Sequence, residues 1–345
     1  MTGRCAQLST LPSPPPGKVG WPWTQEAVRS DQATLPRISI VTPSFNQVDY
    51  LEETIRSVLL QGYPNLEFMV IDGGSTDGSI DIIKRYDPWI DFWVSQPDKG
   101  QSDAINRGWK RSTGDILAYL NSDDIYFPGA LNAVAAQAVQ FPDVSMLFGD
   151  SCVVDETGSI LKNHTLRDVC LEEILSWRSL LAQPAVFWRH AILKQMGYLD
   201  ENLQYMMDYD LFIRTAAKAD IKHVPRRLAT MRIHPRTKTI SQPYKRIEEA
   251  IQVAETFFTR NPQIGSPRLK DQTISALRLH EADVFCLRGD APRARKTAWD
   301  ALNLHPSPHN VWHAFLLFLK TLLNQEIAGR LRTVKKKWQR FLATP

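Results

Sequence analysis

Residues 37–120 alternate between short apolar runs and segments with helical spacing, and this rhythm leaves few folds open. The runs Ile38–Val41 and Phe68–Ile71 are rich in β-branched or aromatic residues and have the length of buried strands. Between them, Leu51 and Ile55 lie four residues apart, as on one face of a helix. This alternation predicts βαβ units and therefore an α/β fold with a mainly parallel sheet flanked by helices.

Polar clusters follow the predicted strands at the point where each strand ends. Ligands of parallel sheets bind at the carboxyl ends of the strands, so we expect these clusters to converge on one edge. One such loop alone would be an ordinary turn, but several at one edge predict a binding site. The clusters are Thr42–Asn46, Asp72–Asp77, Asp98–Ser102 and Asn121–Asp124.

The segment Asn121–Asp124 ends an apolar strand and contains two adjacent carboxylates, Asp123 and Asp124. Adjacent carboxylates repel each other unless a cation lies between them. Oxygen ligands suit Mn²⁺ or Mg²⁺, which in turn bind diphosphate oxygens. The segment therefore predicts a divalent-cation site, and the alternative is a turn in which Asp124 caps the next helix.

Histidine 234 is a further candidate at this cation site. His234 could complete the metal shell or contact a diphosphate, whereas a lone histidine is more often structural. Two neighbouring guanidinium groups could offset phosphate charge, those of Arg232 and Arg236.

Two loops offer groups that suit a nucleoside. Asp72 directly follows a strand and precedes Gly73 and Gly74, so its carboxylate can accept a hydrogen bond from a base while the backbone stays close. The loop after the first strand offers a backbone edge and an aromatic face. Each loop could instead be a plain turn. The residues of that first loop are Thr42, Pro43, Ser44 and Phe45.

A further carboxylate, Asp208, stands at the start of a predicted helix. Asp210 and Arg214 are four residues apart and are expected to pair on that helix, which leaves Asp208 to face the cleft. Sugar transfer with inversion needs a base at the acceptor hydroxyl, opposite the departing diphosphate. Asp208 can serve as that base, and the alternative is a helix-capping aspartate.

The two ends of the chain differ from its centre. We expect a Pro-rich N-terminal tail over residues 1–36, mostly disordered, in which Trp21 and Trp23 could dock onto the domain. The catalytic domain is expected over 37–243 and a helical region with a basic tail over 244–345. The helical segments predicted in that last region are 245–259, 268–288, 291–303 and 308–340.

The net charge of +4 is concentrated at the C-terminus, where residues 326–345 carry six basic side chains and only one acidic one. This distribution argues against a nucleic-acid binder and predicts a surface for an anionic partner such as a membrane. An apolar helix at Val311–Leu319 precedes these charges, and core packing is its alternative role. The basic residues are Arg330, Arg332, Lys335, Lys336, Lys337 and Arg340.

The four cysteines are widely spaced and form no CxxC pair, which fits a reducing cytosol. No apolar stretch reaches the length of about 18 residues that a transmembrane helix needs. We therefore expect a cytoplasmic protein, with attachment to the inner face of the membrane left open.

Four segments together resemble the family 2 inverting glycosyltransferases with the GT-A fold, and most closely those that build bacterial surface polysaccharides such as O-antigen. The resemblance covers about residues 37–240 and rests on the order and spacing of the segments. In sequence they read ISIVTPSFNQVDYLEETIRSVLLQGYPNLEFMVIDGGSTDGS, DKGQSDAINRG, GDILAYLNSDD and GYLDENLQYMMDYDLFIR.

The resemblance implies a nucleotide-sugar donor (a UDP-, GDP- or dTDP-sugar), a divalent cation, Mn²⁺ or Mg²⁺, and a sugar or lipid-linked sugar as acceptor. It implies catalysis by Asp208 and metal or diphosphate contacts by Asp123, Asp124 and His234. The donor side would comprise Thr42, Pro43, Ser44, Phe45, Asp72, Lys99, Gln101, Ser102, Asn121 and Asp123.

Three departures from the family pattern accompany the resemblance. Many members have two acids where this chain has Asp72–Gly73, an acid at the position of Asn121, and a Glu at the position of Met207. With Asn121, fewer negative oxygens surround the metal, so cation affinity could be weaker.

Two other functions compete with sugar transfer. A non-catalytic nucleotide-sugar-binding or scaffold protein could retain the fold, but the acidic residues argue against it. A sugar nucleotidyltransferase normally needs a Gly-rich loop with Arg after the first strand, which TPSFNQ does not supply. The acceptor is expected near residues 160–206, where aromatic side chains could stack on sugars or simply pack in the core. They are Trp177, Phe187, Trp188 and Tyr205, with Gln183 beside them.

Overall fold

Contacts between residues divide the chain of this computed structural model into two compact units. The first unit ends at Ser241 and leaves out Leu175–Trp177, which group with the residues from Gln242 onward in the second unit. The residues that the structure describes are 6–30, 34–237, 241–264 and 266–322.

Among the described residues, the first unit contains one mixed sheet of eight strands. The order across the sheet is β3-β2-β1-β4-β7-β5-β6, and β8 pairs with β5. Strand β1 is parallel to β2 and β4, β2 is parallel to β3, and β5 is parallel to β8. Strand β7 runs antiparallel to both of its neighbours, β4 and β5. The predicted α/β class with a mainly parallel sheet is confirmed. The strands are β1 (Ile38–Ser44), β2 (Leu66–Asp72), β3 (Phe92–Ser95), β4 (Ile116–Tyr119), β5 (Met146–Val154), β6 (Ile160–His164), β7 (Val186–Arg189) and β8 (Ile221–Arg232).

Helices cover both faces of the sheet because successive residues of a strand point to opposite sides. Ile40 of β1 shares a buried cluster with Leu51 and Ile55 of the first helix. The next residue, Val41, faces α3 so closely that a Cβ on Gly108 would lie 2.6 Å from its methyl carbons. The helices up to Ala216 are α1 (Leu51–Leu59), α2 (Ser79–Tyr86), α3 (Gln101–Arg111), α4 (Ala130–Gln140), α5 (Leu171–Leu175), α6 (His190–Met196) and α7 (Met207–Ala216).

Residues 6–30 pack on the first unit, so the expectation of a mostly disordered leader is wrong for them. The indole N–H of Trp21 donates to the carbonyl of Tyr126 at 2.8 Å, and Trp23 is buried. The guanidinium of Arg56, fully buried in α1, provides the main anchor for this segment. Its acceptors there are the carbonyl oxygens of Pro12 at 2.8 Å, Pro22 at 3.1 Å and Trp23 at 2.9 Å.

The second unit is helical, and its described helices begin and end close to the predicted positions. Its small core comprises residues such as Leu279, Ala298 and Leu317. Residues 323–340 of the last predicted segment lie outside the described residues, as does the basic cluster. Within the described ranges, no helix is long and apolar enough to cross a bilayer. The helices of this unit are α8 (Pro243–Arg260), α9 (Pro267–Leu287), α10 (Ala291–Leu304) and α11 (Pro308–Leu322).

Candidate functional site

The strand register brings the ends of β1 to β4 to one edge of the sheet, as the sequence predicts. Ser44 of β1 lies opposite Asp72 of β2, and Asp72 lies opposite Ser95 of β3. On the other side, Val41 of β1 lies opposite Tyr119, the last residue of β4. We call this side of the sheet, with the loops that follow the four strands, the carboxyl edge.

Asp72 is fully buried and holds the loop that follows β2. One carboxylate oxygen accepts from the backbone N–H of Gly74 at 3.0 Å, from that of Ser75 at 2.8 Å and from the hydroxyl of Ser95 at 2.7 Å. The other oxygen accepts from the Ser75 hydroxyl at 2.6 Å. Asp72 therefore shapes the loop around Gly73 and Gly74, and its side chain is directed into that loop.

The loop after β1 combines buried hydroxyl groups with an exposed ring. Thr42 and Ser44 are buried, and their hydroxyl oxygens have no hydrogen-bond partner in the part of the chain that the structure describes. Phe45, in contrast, is 61% exposed. A Cβ on Gly73 would lie 3.3 Å from the Phe45 ring and 2.9 Å from an oxygen of Asp98, so the loops after β1, β2 and β3 meet at Gly73.

The start of α3 faces the segment that precedes α7. A narrow crevice lies between them, with no room for a water-sized sphere. The residues around this crevice are Lys99, Gly100, Gln101, Ser102, Glu201, Leu203, Gln204 and Met207.

A chain of side-chain amides connects α3 to the loop after β4. The Gln101 amide donates to the Asn121 carbonyl oxygen at 2.7 Å, and the Asn121 amide donates to Gln183 at 3.2 Å and to Asp124 at 3.3 Å. Gln183 in turn donates to the backbone carbonyl of Tyr119 at 2.8 Å. From the sequence, Gln183 is expected only beside possible acceptor contacts, because a hydrogen-bond partner 62 residues away leaves no local pattern.

The two adjacent carboxylates differ in their surroundings. An oxygen of Asp123 lies 3.1 Å from Nε2 of His234, and its side chain is 15% exposed. Asp124 is buried and accepts the backbone N–H of Arg232 at 2.8 Å. The pKa of Asp124 is raised well above the usual carboxyl range, first because burial removes solvent and then because the charge of Asp123 is adjacent.

Arg232 holds this acidic loop in place and is itself buried. Its Nε donates to the carbonyl of Asp123 at 2.9 Å, and one terminal nitrogen donates to the Glu53 carboxylate at 2.9 Å. The other terminal nitrogen donates to the carbonyls of Asp155 and Glu156 at 3.2 and 3.1 Å. These partners differ from the phosphate contact expected from the sequence.

Asp208 lies in the first turn of α7, where it accepts the backbone N–H of Tyr209 at 2.8 Å. The expected pairing of Asp210 with Arg214 is present at 2.7 Å. Burial raises the pKa of the Tyr119 phenol well above its usual range, and the charges of Asp208 and Asp124 raise it further. Met207 in the first turn of α7 lines the same crevice as Gln101, whose amide reaches Asn121, so the start of α7 lies close to the loop after β4.

Two aromatic residues that could have stacked on an acceptor belong to the core instead. Phe187 and Trp188 are buried, with their rings stacked on Tyr126 at 5.7 Å and on Phe212 at 5.9 Å. The acceptor-stacking role is therefore wrong for these two side chains.

Several comparisons with known proteins agree with this architecture. The family described as Glycosyl transferase family 2 matches residues 39–183. An uncharacterized glycosyltransferase of Mycobacterium tuberculosis (strain ATCC 25618 / H37Rv) is 30% identical over 183 residues, which are 52% of this chain and 69% of that protein.

Two solved structures share the fold at low sequence identity. S. aureus TarS 1-349 in complex with UDP-GlcNAc has a TM-score of 0.59 at 17% identity, covering 88% of this chain and 92% of that one. The mannosyltransferase PcManGT from Pyrobaculum calidifontis, in complex with GDP-Man and Mn²⁺, has a TM-score of 0.51 at 18% identity. The match covers 84% of this chain and 88% of that one. At these identities the match concerns the fold, which is GT-A.

Proposed function

Because this chain belongs to glycosyl transferase family 2, we propose that it transfers a hexosyl-type sugar from a nucleotide-diphosphate donor to a hydroxyl acceptor with inversion. The observation that carries the proposal is the carboxyl edge, where Asp123 lies 3.1 Å from His234. Gln101, which donates to Asn121 of the same acidic loop, lines a crevice with Met207 at the start of α7. An acid loop, a histidine and a second carboxylate at one sheet edge provide groups for both the leaving diphosphate and the acceptor.

The residues of this edge fit a divalent cation that is shared with the substrate. Within the described ranges, no group of three His, Cys, Asp or Glu side chains could hold a metal by itself. Mg²⁺ and Mn²⁺ sites of this kind use one or two carboxylates together with substrate phosphates. Asp123 and His234 would be the direct ligands, with Asp124 behind them. When bound, the cation would stabilise negative charge on the departing diphosphate.

The donor would lie along the loops after β1, β2 and β3. The exposed ring of Phe45 offers a stacking surface for the base, and the buried Thr42 and Ser44 hydroxyls lack a hydrogen-bond partner within the described ranges. Asp72 would act by fixing the loop rather than through a free oxygen, since four donors already occupy it. Lys99, Gln101 and Ser102 would contact the donor near α7.

Asp208 would act as the general base. Its carboxylate would take the proton of the acceptor hydroxyl while that oxygen forms a bond to the anomeric carbon. The bond from the same carbon to the diphosphate would break on the opposite face, which inverts the configuration. The amides of Gln101, Asn121 and Gln183 would keep the acidic loop in the required position.

The pathway and location form part of the same proposal. The sequence segments resemble those of enzymes that assemble bacterial surface polysaccharides, so we propose a sugar or lipid-linked sugar acceptor. We also propose that the reaction takes place in the cytoplasm, at the inner face of the membrane.

A thermal-shift screen of UDP-, GDP- and dTDP-sugars, with and without Mn²⁺, tests the proposed donor and cation. A ligand at 100 times its Kd stabilises a protein by about 2.7 kcal/mol, which raises Tm by a few degrees. We expect one nucleotide class to do so only with Mn²⁺, and Asp123→Asn to abolish the shift. No shift with any donor would reject a nucleotide-sugar transferase.

A further inference from the structure

Helix α11 has two apolar faces. One face packs inside the second unit, where Ala314 and Leu317 are buried against Leu279 and Ala282 of α9. The opposite face is exposed over the whole length of the helix. Its residues are Val311, Trp312, Phe315, Leu316, Leu319 and Leu322, and we call them the exposed α11 face.

The exposed α11 face is continuous. Trp312, Phe315, Leu319 and Leu322 follow one another at spacings of three or four positions, which places them on one side of a helix. Val311 and Leu316 flank this row. Trp312 is 60% exposed and Phe315 49% exposed, and their rings stack on each other at 5.7 Å. A continuous apolar patch of this kind marks an interaction site.

The charges on and after α11 indicate the kind of partner. Residues 308–322 contain no acidic side chain, and their one lysine, Lys320, lies 3.7 Å from Asp283. The sequence that follows, 323–345, has six basic residues and one acid, a net charge of +5. Two copies of this chain would bring like charges together at such an interface, whereas an anionic lipid surface would attract them.

We propose that the exposed α11 face docks on the surface of an anionic bilayer, which the positive charge of the sequence after the helix also favours. An apolar face and a polybasic segment are two signals that together give stable surface attachment where either alone is weak. The use of this docking for a lipid-linked acceptor rests on the proposed function, but the docking itself does not.

Partitioning of the full chain onto phosphatidylcholine vesicles, with and without phosphatidylglycerol, tests the proposal. We expect Trp312→Ser/Phe315→Ser to weaken binding at least tenfold on both kinds of vesicle. Each basic residue contributes about fivefold on an anionic surface, so Lys335→Gln/Lys336→Gln/Lys337→Gln should lower binding only when phosphatidylglycerol is present. Ile160→Ser/Leu161→Ser, two exposed apolar residues of β6, is the matched control and should bind as the unaltered chain does.

Three results would overturn the proposal. The first is unchanged vesicle binding by the Trp312→Ser/Phe315→Ser variant. The second is a dimer in light scattering that this variant dissociates, which would assign the face to a second copy. The third is a fall in Tm of several degrees for this variant without vesicles, which would show that the rest of the chain covers the face. Donor binding is measured without vesicles, so either proposal can fail alone.

Discussion

Among the described residues of the first unit, two arginines are buried almost completely, Arg56 at 0% exposure and Arg232 at 3%, and they contact different regions. Arg56 donates to three carbonyls of the N-terminal segment and to the Tyr86 hydroxyl at 2.9 Å. Arg232 donates to carbonyls of the acidic loop and of a neighbouring turn, and to the Glu53 carboxylate. A guanidinium stays charged, so the N–H groups of each buried arginine need hydrogen-bond acceptors inside the protein. A buried guanidinium thus holds the N-terminal segment in place at Arg56 and the acidic loop in place at Arg232.

The strongest effect should follow from Arg56→Met. The carbonyls of Pro12, Pro22 and Trp23 would lose their donor, and a buried acceptor left unpaired costs about 1–3 kcal/mol. We expect the free energy of unfolding to fall by about 3 kcal/mol in urea, with donor affinity per folded molecule unchanged. Arg85→Met is the control, because the Arg85 side chain is 46% exposed. Equal losses for both variants would show that other contacts hold the N-terminal segment.

Arg232→Met should lower stability for the same reason as Arg56→Met, but it should also weaken ligand binding. Without this side chain the loop carrying Asp123 is released, and changes to groups that orient metal ligands lower metal affinity about 10–100-fold. Calorimetry with Mn²⁺ and the nucleotide that gives the largest thermal shift should show at least a tenfold weaker Kd. Arg227→Met, an exposed arginine on the same strand, should bind normally. A normal Kd for Arg232→Met would remove the distinction between the two arginines.

Asp124→Asn should stabilise the fold slightly while weakening cation binding. A carboxyl group with a raised pKa in the folded state binds its proton more tightly there than in the unfolded state. Stability therefore falls as the pH rises from the ordinary carboxyl pKa toward the raised pKa of the folded state. Asparagine does not ionise, so this loss of stability disappears, and its side-chain oxygen can still accept the Arg232 N–H. Without Mn²⁺ at pH 7, we expect about 1 kcal/mol more stability and a flatter dependence on pH above pH 4 or so. Lower stability than the unaltered chain would contradict this.

The sequence predicted those features that local patterns record. Apolar spacing placed the sheet, α9, α10 and the loops of the carboxyl edge, because burial of one face repeats at a regular period. One local pattern is misleading: Asp49 with Glu52 three residues later is typical of a capping box at the start of α1. The cap residue is Tyr50, while Asp49 pairs with Arg236 at 2.7 Å and Glu52 accepts from the Tyr86 hydroxyl at 2.8 Å.

The parts that the sequence missed depend on contacts between distant residues. Arg232 and Asp124 are 108 positions apart in the sequence, and Arg56 and Pro22 are 34 positions apart. The partners of these arginines are mostly backbone carbonyls, which every residue has, so no residue type marks them in advance. The docking of residues 6–30 was anticipated only for Trp21 and Trp23, because composition alone favoured disorder for the rest of the segment.

Turnover of the donor by Asp208→Asn tests the account most directly. Hydrolysis or transfer of the donor found in the thermal-shift screen would be measured with Mn²⁺, beside Asp210→Asn, whose carboxylate pairs with Arg214. We expect Asp208→Asn to lose about 10²–10⁴-fold in turnover while its donor Kd stays within about twofold, and Asp210→Asn to remain active. Near-normal turnover by Asp208→Asn would contradict the assignment of the base and with it the proposed chemistry of the carboxyl edge.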